Sequence, residues 1–519
     1  MPLSSAIAKC FQRPWFVFAL VFAWKLALFV VTVQPVPAND SYFYDGAVVN
    51  LLHGGGYFNP SIALALPISG TEVFSAYPPA YQVVLWGWMS VLGTSAVAAM
   101  ALHLVLFGLY LLVMLEILRR LKTPALWINL AGLFLFVITF QDRPDSLAQL
   151  CGMLGMLGWL RSRDTPTRAL GGWWDWFATA FVVLALCTSL QLGGVYLCWI
   201  WLLATAVVVV RGEKIAWLPL LSTVLVPVAL ILLVKLGYPR LWFGFQEHAA
   251  QTPAITGWHW PRVDELLKVL RTTPGVCGVV ALGVWLWLQN RGLTFKQFAS
   301  PLAMLALGGL AAVAGISLTA LIYLSGNFVL GAGYLQPLVV GGFLTVCGGQ
   351  LVERGQRRFW IAALVALAAL GGVRAVGMST WGVACAADVS HAQALQRVRT
   401  TLEGVPSGGR VVVSAAYLYE AARHQGLRAI HSDWLAPGHS LEPLIGLIVK
   451  HRPVRLVLTQ FDYYRHYESA VRQLQLQTQL VEVKINNAVK TPVPDASRRL
   501  QRVIQHISWS PVIVELNWH

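Results

Sequence analysis

The 519-residue sequence predicts a polytopic α-helical membrane protein with a small soluble α/β domain at its C-terminal end. Three observations carry that expectation. The chain is 57% hydrophobic and only 12% charged, with a mean hydropathy of +0.62, which soluble globular chains of this length do not show. Its apolar residues gather into runs near the roughly 20 residues a helix needs to span the hydrocarbon core. From about residue 388 the runs give way to short segments of strand and helix character.

Spans are expected near 14–34, 96–118, 124–141, 146–160, 173–190, 194–210, 217–236, 274–289, 300–323, 335–352 and 359–377, about eleven in all. The first lacks a small-residue cleavage site and reads as a retained signal anchor. The net charge of +15 falls in clusters between apolar runs: Arg119–Arg120–Lys122, Arg161–Arg163–Arg168, Arg211–Lys214, Arg291–Lys296 and Arg354–Arg357–Arg358. This is a positive-inside pattern rather than a nucleic-acid surface. It places the N-terminus in the cytoplasm and, with an odd span count, everything after residue 378 outside. The seven cysteines form no CxxC pair and read as small apolar residues.

The expected organisation is a transmembrane domain over 1–377, with extracytoplasmic loops at 35–95 and 237–273, followed by an extracytoplasmic α/β domain over 378–519. In the first loop, a helix over about 41–53 puts Tyr44, Ala47, Val48, Leu51 and Leu52 on one face and stops at Gly54–Gly55–Gly56. A helix too short to span suits the membrane interface. The apolar segment 80–93 is also too short to cross comfortably. In the tail, "RVVVSAAYLYEAARHQGLRAIHS" (410–432) reads strand–helix–strand and "VRLVLTQFDYYRHYESAVRQLQ" (454–475) strand–helix. "LVEVKIN" and "VIVELNW" add strands. Gly408–Gly409 precede the first strand, so no dinucleotide fingerprint is present.

Three acidic or aromatic motifs sit between the apolar runs. Asp40 precedes the short helix and has two compatible readings: an N-cap for free backbone N–H groups, and a general base where the membrane meets an aqueous cavity. Asp45, one turn on, is a second acid or a solvated residue of the polar face. "SAYPPAYQ" (75–82) is a rigid turn between Tyr77 and Tyr81. "QDRPDSLAQL" (141–150) places Asp142, Arg143 and Asp145 at the end of an apolar hairpin. There an Arg–Asp pair stabilises the loop, or the arginine grips a lipid phosphate. Lys25, inside the first span, would pair with Glu116 or mark internal water.

Taken together, D-x-x-x-Y before an apolar helix and glycine, then Y-P-P-x-Y, then R-P-D before a further span resemble the GT-C superfamily of membrane glycosyltransferases. Within that superfamily the sequence looks similar to the protein O-mannosyltransferases and aminoarabinose transferases. The resemblance covers residues 14–160 by motif and the other spans by layout. It implies a polyprenyl-phosphate-sugar donor, an acceptor hydroxyl (glycan, lipid or protein) on the outer face, and inversion at the sugar carbon. Asp40 matches the proposed base and Tyr44 the aromatic four residues later. Where many relatives carry a second acidic residue this chain has Ser41. Where some have Glu–Lys before Pro–Pro it has Ala76–Tyr77, which argues against a metal or lysine–phosphate contact there.

The expected site is therefore Asp40 as catalytic base, with Tyr44, Asp45, Tyr77, Asp142, Arg143, Asp145, Arg240, His248 and Arg262 around the substrates. Lys268 and Arg271 are further phosphate candidates. No nucleotide is required and no metal residue is assigned. A divalent metal would find Glu72, His248 and His259, although isolated loop histidines are more often structural. The expected location is the bacterial cytoplasmic membrane, with the lipid bilayer and no nucleic acid among the partners. The rival from another class is a transporter or lipid flippase, whose ionisable residues would sit at mid-bilayer.

Overall fold

The structure, a computed structural model, describes residues 12–32, 41–120, 123–134, 143–164, 170–251, 391–424, 426–435, 441–476, 480–487 and 511–518, with isolated positions at 362 and 365. Over these residues the chain is mostly helical and carries a five-stranded sheet.

The N-terminal part runs α1 (Phe16–Thr32), α2 (Ser41–Leu52), α3 (Pro67–Thr71), α4 (Ala80–Leu92), α5 (Ala96–Arg120), α6 (Ala125–Phe134), α7 (Pro144–Ser162), α8 (Trp173–Leu186), α9 (Leu190–Arg211), α10 (Trp217–Gly237) and α11 (Pro239–Gln251). Their ends follow local chemistry. Proline opens α3 and α7, where its missing N–H costs nothing. Asp175 starts α8 by accepting from the Gly172 amide at 2.8 Å. Gly212 closes α9 at φ +64, a left-handed turn that glycine adopts without strain.

Among the described residues, three stretches are long and apolar enough to cross a membrane: Ala96–Arg120, Leu192–Val209 and Trp217–Gly237. The count of about eleven is not supported among the described residues. Helix α8 is 14 residues long, short of the roughly 20 needed to span at about 1.5 Å per residue. The four spans expected between 274 and 377 lie outside the described residues, apart from positions 362 and 365.

The segment expected to span at 146–160 is helical, as α7, but it is not among these three stretches, and its residues are almost all buried. It is a central helix rather than a lipid-facing one. Close packing explains why glycines recur along it. A Cβ at Gly155 would stand 2.8 Å from Val182 Cγ2, and one at Gly158 would stand 3.0 Å from the Ala178 nitrogen. Small residues let the α7 and α8 backbones approach. Lys25 does not find Glu116, whose Oε1 accepts from Arg120 and Arg161 at 3.3 Å each.

The tail forms the expected α/β unit: α12 (His391–Glu403), β1 (Arg410–Val413), α13 (Ala415–Ala421), β2 (Arg428–His431), α14 (Ser432–Leu435), α15 (Leu441–His451), β3 (Arg455–Thr459), α16 (Gln460–Asp462), a π turn at Tyr463–Tyr467, α17 (Glu468–Leu476), β4 (Leu480–Asn487) and β5 (Pro511–Trp518). The strand order is β2-β1-β3-β5-β4, with β1 parallel to β2 and β3, and β5 antiparallel to β3 and β4. Alternation along the strands divides their side chains between two cores. Val412, Leu456 and Leu458 pack with Leu444, Ile448 and Val471 on one face. Val411, Val413 and Val457 belong to the same core as the buried residues of α2, α4 and α5.

That shared core corrects the reading of α2. The helix is where the sequence puts it, but Ser41 through Val49 are all buried, the supposed polar face included. It is enclosed by protein rather than lying in the membrane interface. Asn59 fixes its start, donating to the carbonyls of Tyr42 and Phe43 at 3.0 and 3.2 Å. A Cβ at Gly46 would come within 2.4 Å of the Asn59 amide, so that close approach requires glycine.

Candidate functional site

Two linked clusters form around α2. The first holds most of the residues expected at a substrate site. Arg143 precedes α7 on extended backbone (φ −137°), which sets its side chain beside Tyr44 on α2. Its Nη2 donates to the Tyr44 hydroxyl at 3.1 Å, and the guanidinium carbon lies 5.5 Å from the Tyr44 ring centre. Arg143 Nε pairs with Asp145 Oδ2 at 3.2 Å, and the Ser189 hydroxyl donates to Asp145 Oδ1 at 3.1 Å. The Tyr77 ring stands edge-on to Tyr44 at 4.8 Å. His248 on α11 lies 6.2 Å from Tyr77 and 5.4 Å from Phe43, ring to ring. Burial first, and Asp145 next, push the Tyr77 phenol up, opposed by Arg143 and Tyr44.

The second cluster centres on Asp45, which is fully buried and not the solvated residue its polar neighbours suggested. Tyr81 donates to Oδ1 at 2.9 Å and Tyr419 to Oδ2 at 2.6 Å. Burial pushes the carboxyl up to about 7, although both phenols oppose the shift by bonding the charged form. Tyr42 packs edge-on against Tyr419 at 4.9 Å.

A hydrogen-bonded chain connects the clusters. It runs from Asp45 through the Tyr81 hydroxyl to His103 Nε2 (3.0 Å), then from His103 Nδ1 to the Ser146 hydroxyl (2.8 Å), and on to the Arg143 carbonyl (2.9 Å). Each hydroxyl carries one proton and a neutral imidazole one N–H, so the chain has two consistent polarities. With Asp45 ionised, Tyr81 donates to it, His103 Nε2–H to Tyr81, and Ser146 to His103 Nδ1. With Asp45 protonated on Oδ1 every bond of this chain reverses, and Ser146 donates to the Arg143 carbonyl. A proton on that oxygen is thus coupled to the tautomer of His103 and to the last bond at Arg143.

The structure therefore gathers Tyr44, Asp45, Tyr77, Arg143, Asp145 and His248. Arg240 stands apart: two-thirds exposed, it pairs with Glu72 at 3.2 Å. Asp40, Asp142, Arg262, His259, Lys268 and Arg271 lie outside the described residues. Among the described residues no three His, Cys, Asp or Glu side chains gather as metal ligands. Sequence reasoning missed His103, Ser146, Ser189 and Tyr419, and quoted Tyr81 only as part of a turn. A histidine inside an apolar span was a usable signal, because an ionisable group there needs a partner. Tyr419 gave none.

Chemically, the first cluster offers an oriented guanidinium among aromatic rings, suited to a phosphate beside a sugar. The second offers a carboxyl poised near neutrality, with both oxygens engaged. Compared with known proteins, the chain matches no family model and no curated sequence.

Proposed function

We propose that this chain is a membrane glycosyltransferase moving a sugar from a polyprenyl-phosphate donor to an acceptor hydroxyl on the outer side of a bacterial cytoplasmic membrane. One observation carries the reading. Three short motifs far apart in sequence converge on one place: Tyr44 meets Tyr77 at 4.8 Å and Arg143 at 3.1 Å. A loop that only redirected the chain would not need that convergence.

In this reading Asp40, immediately before α2, takes the proton of the acceptor hydroxyl as its oxygen attacks the anomeric carbon. The carbon–oxygen bond to the phosphate breaks on the opposite face, which inverts the centre. The electron pair leaves with the polyprenyl phosphate, whose charge Arg143 meets as it develops. Asp145 and Tyr44 hold the guanidinium in place, and Tyr77 and His248 form the aromatic wall. Asp45 is a positioning residue: both its oxygens bond protein hydroxyls, and it acts through the chain to Arg143.

The test is transfer by the purified full chain in lipid nanodiscs, supplied with a panel of radiolabelled polyprenyl-phosphate sugars and membrane-extracted acceptors. Label should pass to acceptor, and Asp40→Asn should cut transfer at least about a hundredfold, as for loss of a general base. Translocation of donor across sealed vesicles without transfer would replace this reading with a flippase.

A further inference from the structure

A cleft of about 380 Å³ opens between α2, the turn at Pro60–Ile62 and the β1–α13–β2 unit. The volume falls within the range of small-ligand sites. Its ionisable lining, apart from Tyr42, is of one kind: Arg410, Arg428, His53, His424 and His451, beside the amide of Asn50, and among the described residues no carboxylate borders it. Glu420, on α13, is buried and engaged elsewhere, accepting from Arg399 at 2.6 and 3.1 Å and pairing with Arg423 at 3.5 Å.

The arginines are placed against their own repulsion. Arg410 and Arg428 are direct partners across the parallel β1–β2 pair, and like charges directly opposite on neighbouring strands are unfavourable. Neither has a carboxylate partner among the described residues. Arg410 Nη1 donates to the His451 carbonyl at 3.1 Å, which fixes one end of its fork. His451 is itself held below the usual histidine range, by burial first and then by Arg410 and Lys450. An anion in the cleft would relieve these repulsions together.

We propose that this cleft binds the phosphoryl group of a phosphorylated small molecule or headgroup, with Arg410 and Arg428 gripping its oxygens and the three imidazoles forming the rim. Guanidinium forks match phosphate oxygens in pairs, and Leu418 and Leu427 supply an apolar wall for the rest of the ligand. The site is separate from the Arg143 cluster and does not depend on the transferase reading. It adjoins the Asp45 cluster through Tyr42, which lines the cleft and packs on Tyr419.

The experiment is calorimetric titration of inorganic phosphate into the full chain in phosphatidylcholine nanodiscs. Saturable binding is expected, weakened about tenfold or more by Arg410→Gln with Arg428→Gln, and severalfold by Arg428→Gln alone, an exposed position that folding tolerates. Arg472→Gln, which removes an exposed charge elsewhere, should leave affinity within about twofold. Repeating the titration in nanodiscs containing phosphatidic acid separates the sources. Loss of phosphate binding assigns the site to a lipid headgroup, and retention assigns it to a soluble phosphate ester. Absence of saturable binding to the native chain, or equal binding by the double variant, overturns the proposal.

Discussion

The Tyr419 hydroxyl stands 2.6 Å from Asp45 Oδ2, joining residues 374 positions apart in the chain. Both side chains are fully buried, so this contact ties the C-terminal unit to the first loop at the level of the candidate site. Removing it leaves a buried carboxyl short of a donor, and a hydrogen bond to a charged group contributes about 1.5–3 kcal/mol. Tyr419→Phe should lower the thermal unfolding midpoint of the full chain in nanodiscs. It should also raise proteolytic cleavage at the 378–391 junction. Unchanged unfolding and cleavage would mean the two units hold together without Asp45.

Asp45 also makes a pH prediction. Its carboxyl titrates near 7 in the fold against an ordinary value of 3.8. Between those values the native state keeps a proton that the unfolded state has released. Stability from this group is therefore greatest below about pH 4, falls as pH rises to about 7, and is level above. At about 1.4 kcal/mol per pH unit between the two values, the full change is on the order of 4 kcal/mol. The unfolding midpoint should drop from pH 5 to pH 8 in the native chain and drop less in Asp45→Asn. Equal slopes in both proteins would remove Asp45 as the cause.

The proposed function gives Arg143 the donor phosphate. Arg143→Ala should weaken binding of polyprenyl phosphate by roughly ten- to a hundredfold, the loss of a charge-assisted hydrogen bond, with little effect on acceptor affinity. Arg143→Lys should recover only part, because an ammonium cannot reproduce a planar fork held between Asp145 and Tyr44. Equal donor binding in all three proteins would relocate the phosphate site, and the 237–273 loop would be the next place to look.

Local pattern made much of this legible. Helix α2 and its glycine stop, the strand–helix–strand of the tail, and the residues Tyr44, Tyr77, Arg143 and Asp145 follow from short-range spacing and motif. The burial of α2 was not legible, because part of what covers it lies hundreds of residues away, in α13. Asp45 illustrates the difference. Among Tyr44, Gly46 and Asn50 it looks like a solvated face, and only the arrival of Tyr81 and Tyr419 makes it a buried carboxyl. The Arg410–Arg428 pair was equally hidden, since strand register brings them together and no sequence spacing announces it. The span count is not supported among the described residues, and there apolar composition does not separate a helix that faces lipid from one, like α7, that is packed among other helices.

The last prediction concerns sidedness. Because Tyr419 bonds Asp45, the tail and the 41–95 loop must lie on one side of the membrane whatever the number of spans. In the proposed reading, which takes the basic clusters as cytoplasmic, that side is the exterior. In an otherwise cysteine-free chain, Leu64→Cys and Leu476→Cys occupy positions 44% and 83% exposed, and Leu170→Cys one that is 71% exposed beside a basic cluster. The first two should react with a membrane-impermeant thiol reagent in intact cells, and the third only after lysis. Opposite labelling at 64 and 476 would make the Tyr419–Asp45 bond impossible in the membrane and would undo the site built on it. Labelling at 170 alone would keep the bond but turn the site to the cytoplasm. There a donor presented on the outer leaflet could not reach Arg143, and the transferase reading would fail while the fold stood.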